Sequence, residues 1–244
     1  MPVSTHFAHL MRQIPLPIGI RLPPNFESFL PGHNAAALAQ LIELLQQYSE
    51  GGAVPPIYLW GPAGSGKSHL LRSLAGHFRS EGSEVACFDA AAALPWPLDD
   101  AVALTVLDDC EAYDNARQQA AFALFADASA RGGLVAAAGR LPPVDLPLRE
   151  DLRSRLGWGH VIALLPLADD EVAMMLTEEA ARRGLKLPKD MTTYLLTHRA
   201  RDPKSMMQLL DRIDEFALQH KRAPTVPMLR QMLADETPPG EFAE

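Results

Sequence analysis

The stretch that most constrains this chain is Gly61-Pro62-Ala63-Gly64-Ser65-Gly66-Lys67-Ser68, a G-x-x-x-x-G-K-S. The apolar run Ile57–Trp60 precedes it, and a segment of helical period over 67–80 follows. Strand, glycine-rich loop and helix in that order form a cradle in which backbone amides and a helix N-terminus face negative charge. In such a loop the lysine neutralises the β- and γ-phosphates of a nucleotide, and the hydroxyl beside it ligates Mg2+. Lys67 and Ser68 hold those two positions.

The pattern around the loop extends the same reading. Further apolar runs at 85–89, 103–107, 134–138 and 161–165 alternate with helical stretches, notably 116–131. Alternating strand and helix predicts a parallel five-stranded sheet covered on both faces. Ahead of it, Asn34 reads as a helix N-cap, with Leu38, Leu41, Ile42 and Leu45 on one face and Gly51-Gly52 as the stop. After Pro166 the strands cease, and 169–183, 189–200, 203–220 and 225–234 all read as helices. Met206, Leu209, Leu210, Ile213 and Phe216 form the apolar stripe of the third. The fold class is therefore α/β over 25–166, followed by a small all-helical lid over 167–235 and a loose acidic end over 236–244. Residues 1–24 hold five prolines and no period, which predicts an extended tail.

A second acidic element follows the loop's β-α-β unit. Ala103-Leu104-Thr105-Val106-Leu107-Asp108-Asp109 is an apolar strand ending in two carboxylates. Asp108 is placed to hold Mg2+ through water, and Asp109 to orient an attacking water. Taken alone, two aspartates at a strand end fit a turn equally well. Four other residues have two readings each. His6 and His9 form either a metal pair or a solvated one. Cys110 is a small apolar filler or a thiol with chemistry. Trp158, between Gly157 and Gly159, is a packing anchor or a ligand platform.

Composition narrows the setting. Apolar residues make up 48% and charged residues 21%, and the net charge of −8 argues against tight independent binding to duplex DNA. No apolar run is long enough to span a bilayer, and the N-terminus lacks a secretory pattern. The two cysteines, Cys87 and Cys110, lack metal spacing, so a reducing cytoplasm is expected.

From Phe26 to Leu233 the chain resembles the AAA+ family, and within it the replication initiator DnaA and the Hda family of its regulatory inactivators. The marks are Phe26-Glu27-Ser28-Phe29, Pro31-Gly32-His33-Asn34, GPAGSGKSHLL from Gly61, VLDD from Val106, GRLPP over Gly139–Pro143, and DLRSRLGWG over Asp151–Gly159. The resemblance implies ADP or ATP with Mg2+ in the loop, with His69 added to the nucleotide-binding set. It implies that Lys204, or else Arg201, is the lid's cationic sensor. Arg155 would be an arginine finger reaching a neighbour's nucleotide, with Arg153 the next candidate. Since the chain stops at Glu244, no origin-reading helix-turn-helix domain is expected.

The tail is similar to the peptide with which such proteins dock on the DNA polymerase sliding clamp. Gln13 offers an amide, Ile14 and Leu16 offer apolar knobs, and Pro15 and Pro17 keep the segment extended, which limits the entropy lost on docking. The partners implied are the DnaA initiator and the clamp, with DNA contacted mainly through the clamp, no membrane, and a homo-oligomer left open. The implied role is to stimulate hydrolysis of DnaA-bound ATP. AAA+ ATPases usually carry a polar residue at the end of the fourth strand, where this chain has Val135-Ala136-Ala137-Ala138-Gly139-Arg140, so weak or no turnover of its own is expected. A helicase loader or stand-alone ATPase, and a non-catalytic module that caps DnaA, are the alternative readings.

Overall fold

The computed structural model describes residues 23–97, 99–198, 203–220 and 223–234. Five strands, β1 (Ile57–Trp60), β2 (Glu84–Phe88), β3 (Val102–Leu107), β4 (Leu134–Gly139) and β5 (His160–Ala163), form one sheet in the order β2-β3-β4-β1-β5. Every pairing is parallel. Strand ends differ from the sequence reading by a residue or two, as expected where pairing rather than composition ends a strand. The three inner strands, β3, β4 and β1, carry most of the buried positions on both faces, which is why they read as apolar runs rather than alternations. β4, LVAAAG, is buried throughout at the centre of the sheet.

Helices α1 (Ala35–Ser49) and α2 (Lys67–Ser80) contribute Leu41, Leu44, Leu45, Leu70, Leu71 and Leu74 to the core on one face. On the other, α3 (Asn115–Arg131) and α4 (Glu150–Trp158) bring Ala121, Leu124, Phe125, Leu152 and Leu156 against Tyr58, Val135 and Ala137. The buried stripe of α1 runs through Leu41, Leu44 and Leu45, while Ile42 is 46% exposed and lies off the face assigned to it. Helices α5 (Asp169–Arg182), α6 (Lys189–His198), α7 (Pro203–His220) and α8 (Val226–Ala234) close on a separate cluster that includes Val172, Leu176, Met206, Leu209 and Ile213. No helix of the described residues is long and apolar enough to cross a membrane.

Asn34 has a different role from the one its neighbours suggested. It makes no side-chain cap to α1. Its amide instead donates to the Leu165 carbonyl and accepts from the Leu165 N–H, each at 2.8 Å. This buried side chain thus fastens the start of the core to the segment leading into α5. Asn34→Ala would strand two backbone groups at that junction, and about 2 kcal/mol of stability is expected to go with them. A melting temperature several degrees lower is the readout. Next to it, Glu171 accepts from the Ala168 N–H at 2.7 Å, capping α5, and its carboxylate lies 3.4 Å from His33 Nδ1.

Candidate nucleotide-binding site

The loop between β1 and α2 turns on glycine. Gly61, Gly64 and Gly66 all have positive φ, with Gly66 at 94° as the N-cap of α2. Gly66 is also a point of close approach, since a Cβ there would meet the Phe29 ring at 2.5 Å. The segment 25–29 therefore packs on the root of the loop. His69 is part of that packing. Its Nε2 lies 3.2 Å from Ser28 Oγ and 3.1 Å from the Asn25 carbonyl, and its ring sits 5.6 Å from that of Phe29. Burial lowers its pKa, so the ring is held neutral. Grouped with the loop on sequence, His69 in the fold anchors the N-terminal segment to α2.

Lys67 is 7% exposed. Its Nζ donates to the carbonyls of Gly61 at 2.7 Å and Pro62 at 2.8 Å, and lies 3.5 Å from Ser65 Oγ. Burial pulls its pKa down, while Glu111, Asp108 and Asp109, in that order, push it back up. The ammonium is thus enclosed by the loop's own carbonyls. Asp108 ends β3 at the same place. Burial raises its pKa, and the nearby Ser68 hydroxyl opposes that rise. Its Oδ1 also accepts from the Asp109 N–H at 2.9 Å. The hydroxyl and the carboxylate assigned to Mg2+ on sequence are therefore on the same side of the site. Two hard oxygen donors suit an ion that takes one or two protein ligands and completes its shell with water and phosphate. No cluster of three or more His, Cys, Asp or Glu able to hold a metal occurs among the described residues.

Asp109 lies at φ 53°, the left-handed region uncommon outside glycine, and its side chain is exposed. Cys110 is fully buried, and burial pushes its thiol pKa up, which fits the filler reading. A residue that sequence reading passed over joins the site: Glu111, whose carboxylate is held by Arg140. Only its place after the Asp pair could have pointed to it.

Arg155 lies on α4 with its guanidinium 4.8 Å above the Phe122 ring. Arg153, on the same helix, lines a groove of about 400 Å³ with Pro143, Val144, Ser154, Gly157 and Val161. Trp158 is 74% exposed, so it is not the packing anchor expected of a tryptophan between glycines. Val144, at 75%, is likewise open. Gln13, Ile14, Pro15, Leu16 and Pro17, with His6, His9 and Arg201, lie outside the described residues. Lys204 falls in the first turn of α7.

Comparison with known proteins agrees with this geometry. Residues 169–233 match the family model described as Hda, lid domain. The chain superposes on domain III of the Thermotoga maritima initiator DnaA with a TM-score of 0.70 at 15% identity, over 86% of this chain and 95% of that one. AMPPCP-bound DnaA from Aquifex aeolicus matches with a TM-score of 0.60 at 22% identity, over 77% of this chain and 64% of that one. The Thermotoga maritima RuvB Holliday junction branch migration motor gives 0.64 at 16%, over 87% and 72%. The parallel sheet, its flanking helices and the helical C-terminal region define an AAA+ fold with a lid. In fold the chain is similar to DnaA domain III, and over residues 169–233 it is similar to the Hda lid domain.

Proposed function

We propose that this protein binds ADP or ATP with Mg2+ and acts as a negative regulator of DnaA, stimulating hydrolysis of the ATP that DnaA holds. The observation that carries the reading is the pairing of an intact phosphate loop with an Hda-type lid over 169–233. The loop supplies amides and Lys67 for the phosphates, and Ser68 with Asp108 would hold the metal. Asp109 is the carboxylate assigned to the attacking water in any turnover of its own. Lys204, in the first turn of α7, would bring the lid's charge to the nucleotide. Arg155 would act on the partner's nucleotide, where a guanidinium stabilises charge on the transferred phosphoryl group.

The tail would tether the protein to the sliding clamp on DNA. Gln13 is the proposed hydrogen-bonding residue, and the apolar side chains of Ile14 and Leu16 would fill the pocket. An acidic chain of net charge −8 suits contact with DNA through the clamp rather than directly.

The test is single-turnover hydrolysis of ATP bound to DnaA, with and without this protein and a clamp loaded on DNA. Acceleration only when protein and loaded clamp are both present is the expected result. Turnover by the protein alone, with no effect on DnaA, would point to a loader or stand-alone ATPase, and silence in both assays to a capping module. In the same assay Gln13→Ala should raise the clamp concentration needed for half-maximal effect by about tenfold, the cost of one buried hydrogen bond. An unchanged requirement would remove the tail from the mechanism.

A further inference from the structure

Where AAA+ ATPases usually carry a polar side chain, the end of β4 reads Ala138-Gly139-Arg140. The fold supplies the reason. A Cβ on Gly139 would fall on the Tyr58 hydroxyl, which donates to the Leu141 carbonyl at 2.8 Å. No side chain fits there while Tyr58 is in place. A neighbouring element fills the position. Glu111, in the 3-10 turn Cys110–Ala112, brings Oε2 to 3.0 Å from where that Cβ would stand.

Arg140 holds this carboxylate in two ways. Its backbone N–H donates to Oε2 at 3.1 Å, and its Nε lies 3.1 Å from Oε1. On the other side is the phosphate loop. Its first residue, Gly61, donates its N–H to the Gly139 carbonyl at 3.3 Å, which sets the end of β4 against the loop, and the Glu111 charge acts to raise the Lys67 pKa. The carboxylate beside Gly139 is thus next to Gly61, whose carbonyl accepts from the lysine assigned to the β- and γ-phosphates.

We propose that Glu111 is the residue by which this site distinguishes a nucleoside diphosphate from a triphosphate, disfavouring the triphosphate. The inference rests on the nucleotide-binding reading above. A γ-phosphate brings added negative charge toward Glu111, whereas a β-phosphate stays within the amide cradle. Asp108 differs, because the Mg2+ it would share with Ser68 offsets its charge. Asp109 differs too, because its exposed side chain is screened by water. Glu111 is half-buried and fixed, so its repulsion persists. Arg140 offsets part of it, but its guanidinium lies largely in solvent.

The experiment is calorimetric titration of the full-length protein with ADP and with AMPPCP, both in Mg2+ buffer. Wild type should bind ADP more tightly than AMPPCP. Glu111→Gln keeps the shape and removes the charge; it should tighten AMPPCP by about tenfold and move ADP by less than about twofold. Arg140→Gln removes the offsetting charge, keeps the backbone N–H, and should shift the ratio the other way. A ratio unchanged in both variants would overturn the proposal, as would weaker AMPPCP binding by Glu111→Gln. If wild type binds neither nucleotide, the nucleotide-binding reading itself fails. Binding with an unaltered ratio overturns the assignment of Glu111 alone.

Discussion

Arg155→Ala should lose at least about 10³-fold of the stimulation of DnaA-bound ATP hydrolysis, the lower end of what an arginine finger contributes. The variant should still bind nucleotide and clamp. α4, which carries Arg155, packs on the opposite face of the sheet from α2, so removal of that side chain should leave this protein's own site intact. The Arg155 guanidinium stacks on Phe122, and no ion pair to it occurs among the described residues. Exposed Trp158 at the end of the same helix and exposed Val144 nearby give that surface apolar area that a partner could cover. Arg155→Lys separates charge from geometry. Lysine keeps the charge but cannot present a bidentate fork, so it should recover only a small part of the rate. If Arg155→Ala stimulates normally, the finger lies elsewhere, and Arg153 in the adjacent groove is the next variant to make.

Lys67→Ala should reduce affinity for ADP and ATP by about a hundredfold or more. Two charge-assisted hydrogen bonds to phosphate at about 1.5 kcal/mol each amount to about 3 kcal/mol. The ammonium already donates to two loop carbonyls, so a bound phosphate would compete with Gly61 and Pro62 for it. The net loss is therefore set near the lower figure for such bonds. A thermal melt separates the two effects of the substitution. The variant should melt within a few degrees of wild type without nucleotide, and fail to gain stability when nucleotide is added. A variant that retains ADP through purification would contradict the assignment of the loop.

Much of this protein can be read along the chain, because the interactions that specify it are local. The loop GPAGSGKS contains its own glycines, lysine and hydroxyl within eight residues. The period of α2 and α7 and the apolar runs of β1 and β4 reflect neighbours one to four positions apart. Those signals located the strand, loop and helix of the G-x-x-x-x-G-K-S segment, the parallel sheet and the helical region after Pro166. They also put Ser68 and Asp108 at the same end of the sheet, since in a parallel sheet the C-terminal ends of all strands lie together.

Other features depend on residues far apart in sequence, and only the folded chain decided them. Asn34 has the look of an N-cap, but its amide is taken by Leu165, 131 residues away. His69 follows the loop in sequence yet is claimed by Asn25 and Ser28. Trp158 reads as a residue for the interior and stands in solvent, because the buried face of α4 is carried by Leu152 and Leu156. Glu111 reaches Arg140 across 29 residues, into a space that Tyr58 denies to any side chain on β4. Local pattern determines which segments become helix and strand, since the energy of each depends on nearby residues. Which polar groups meet is decided by packing, since a buried amide or carboxylate must find a partner wherever the fold provides one.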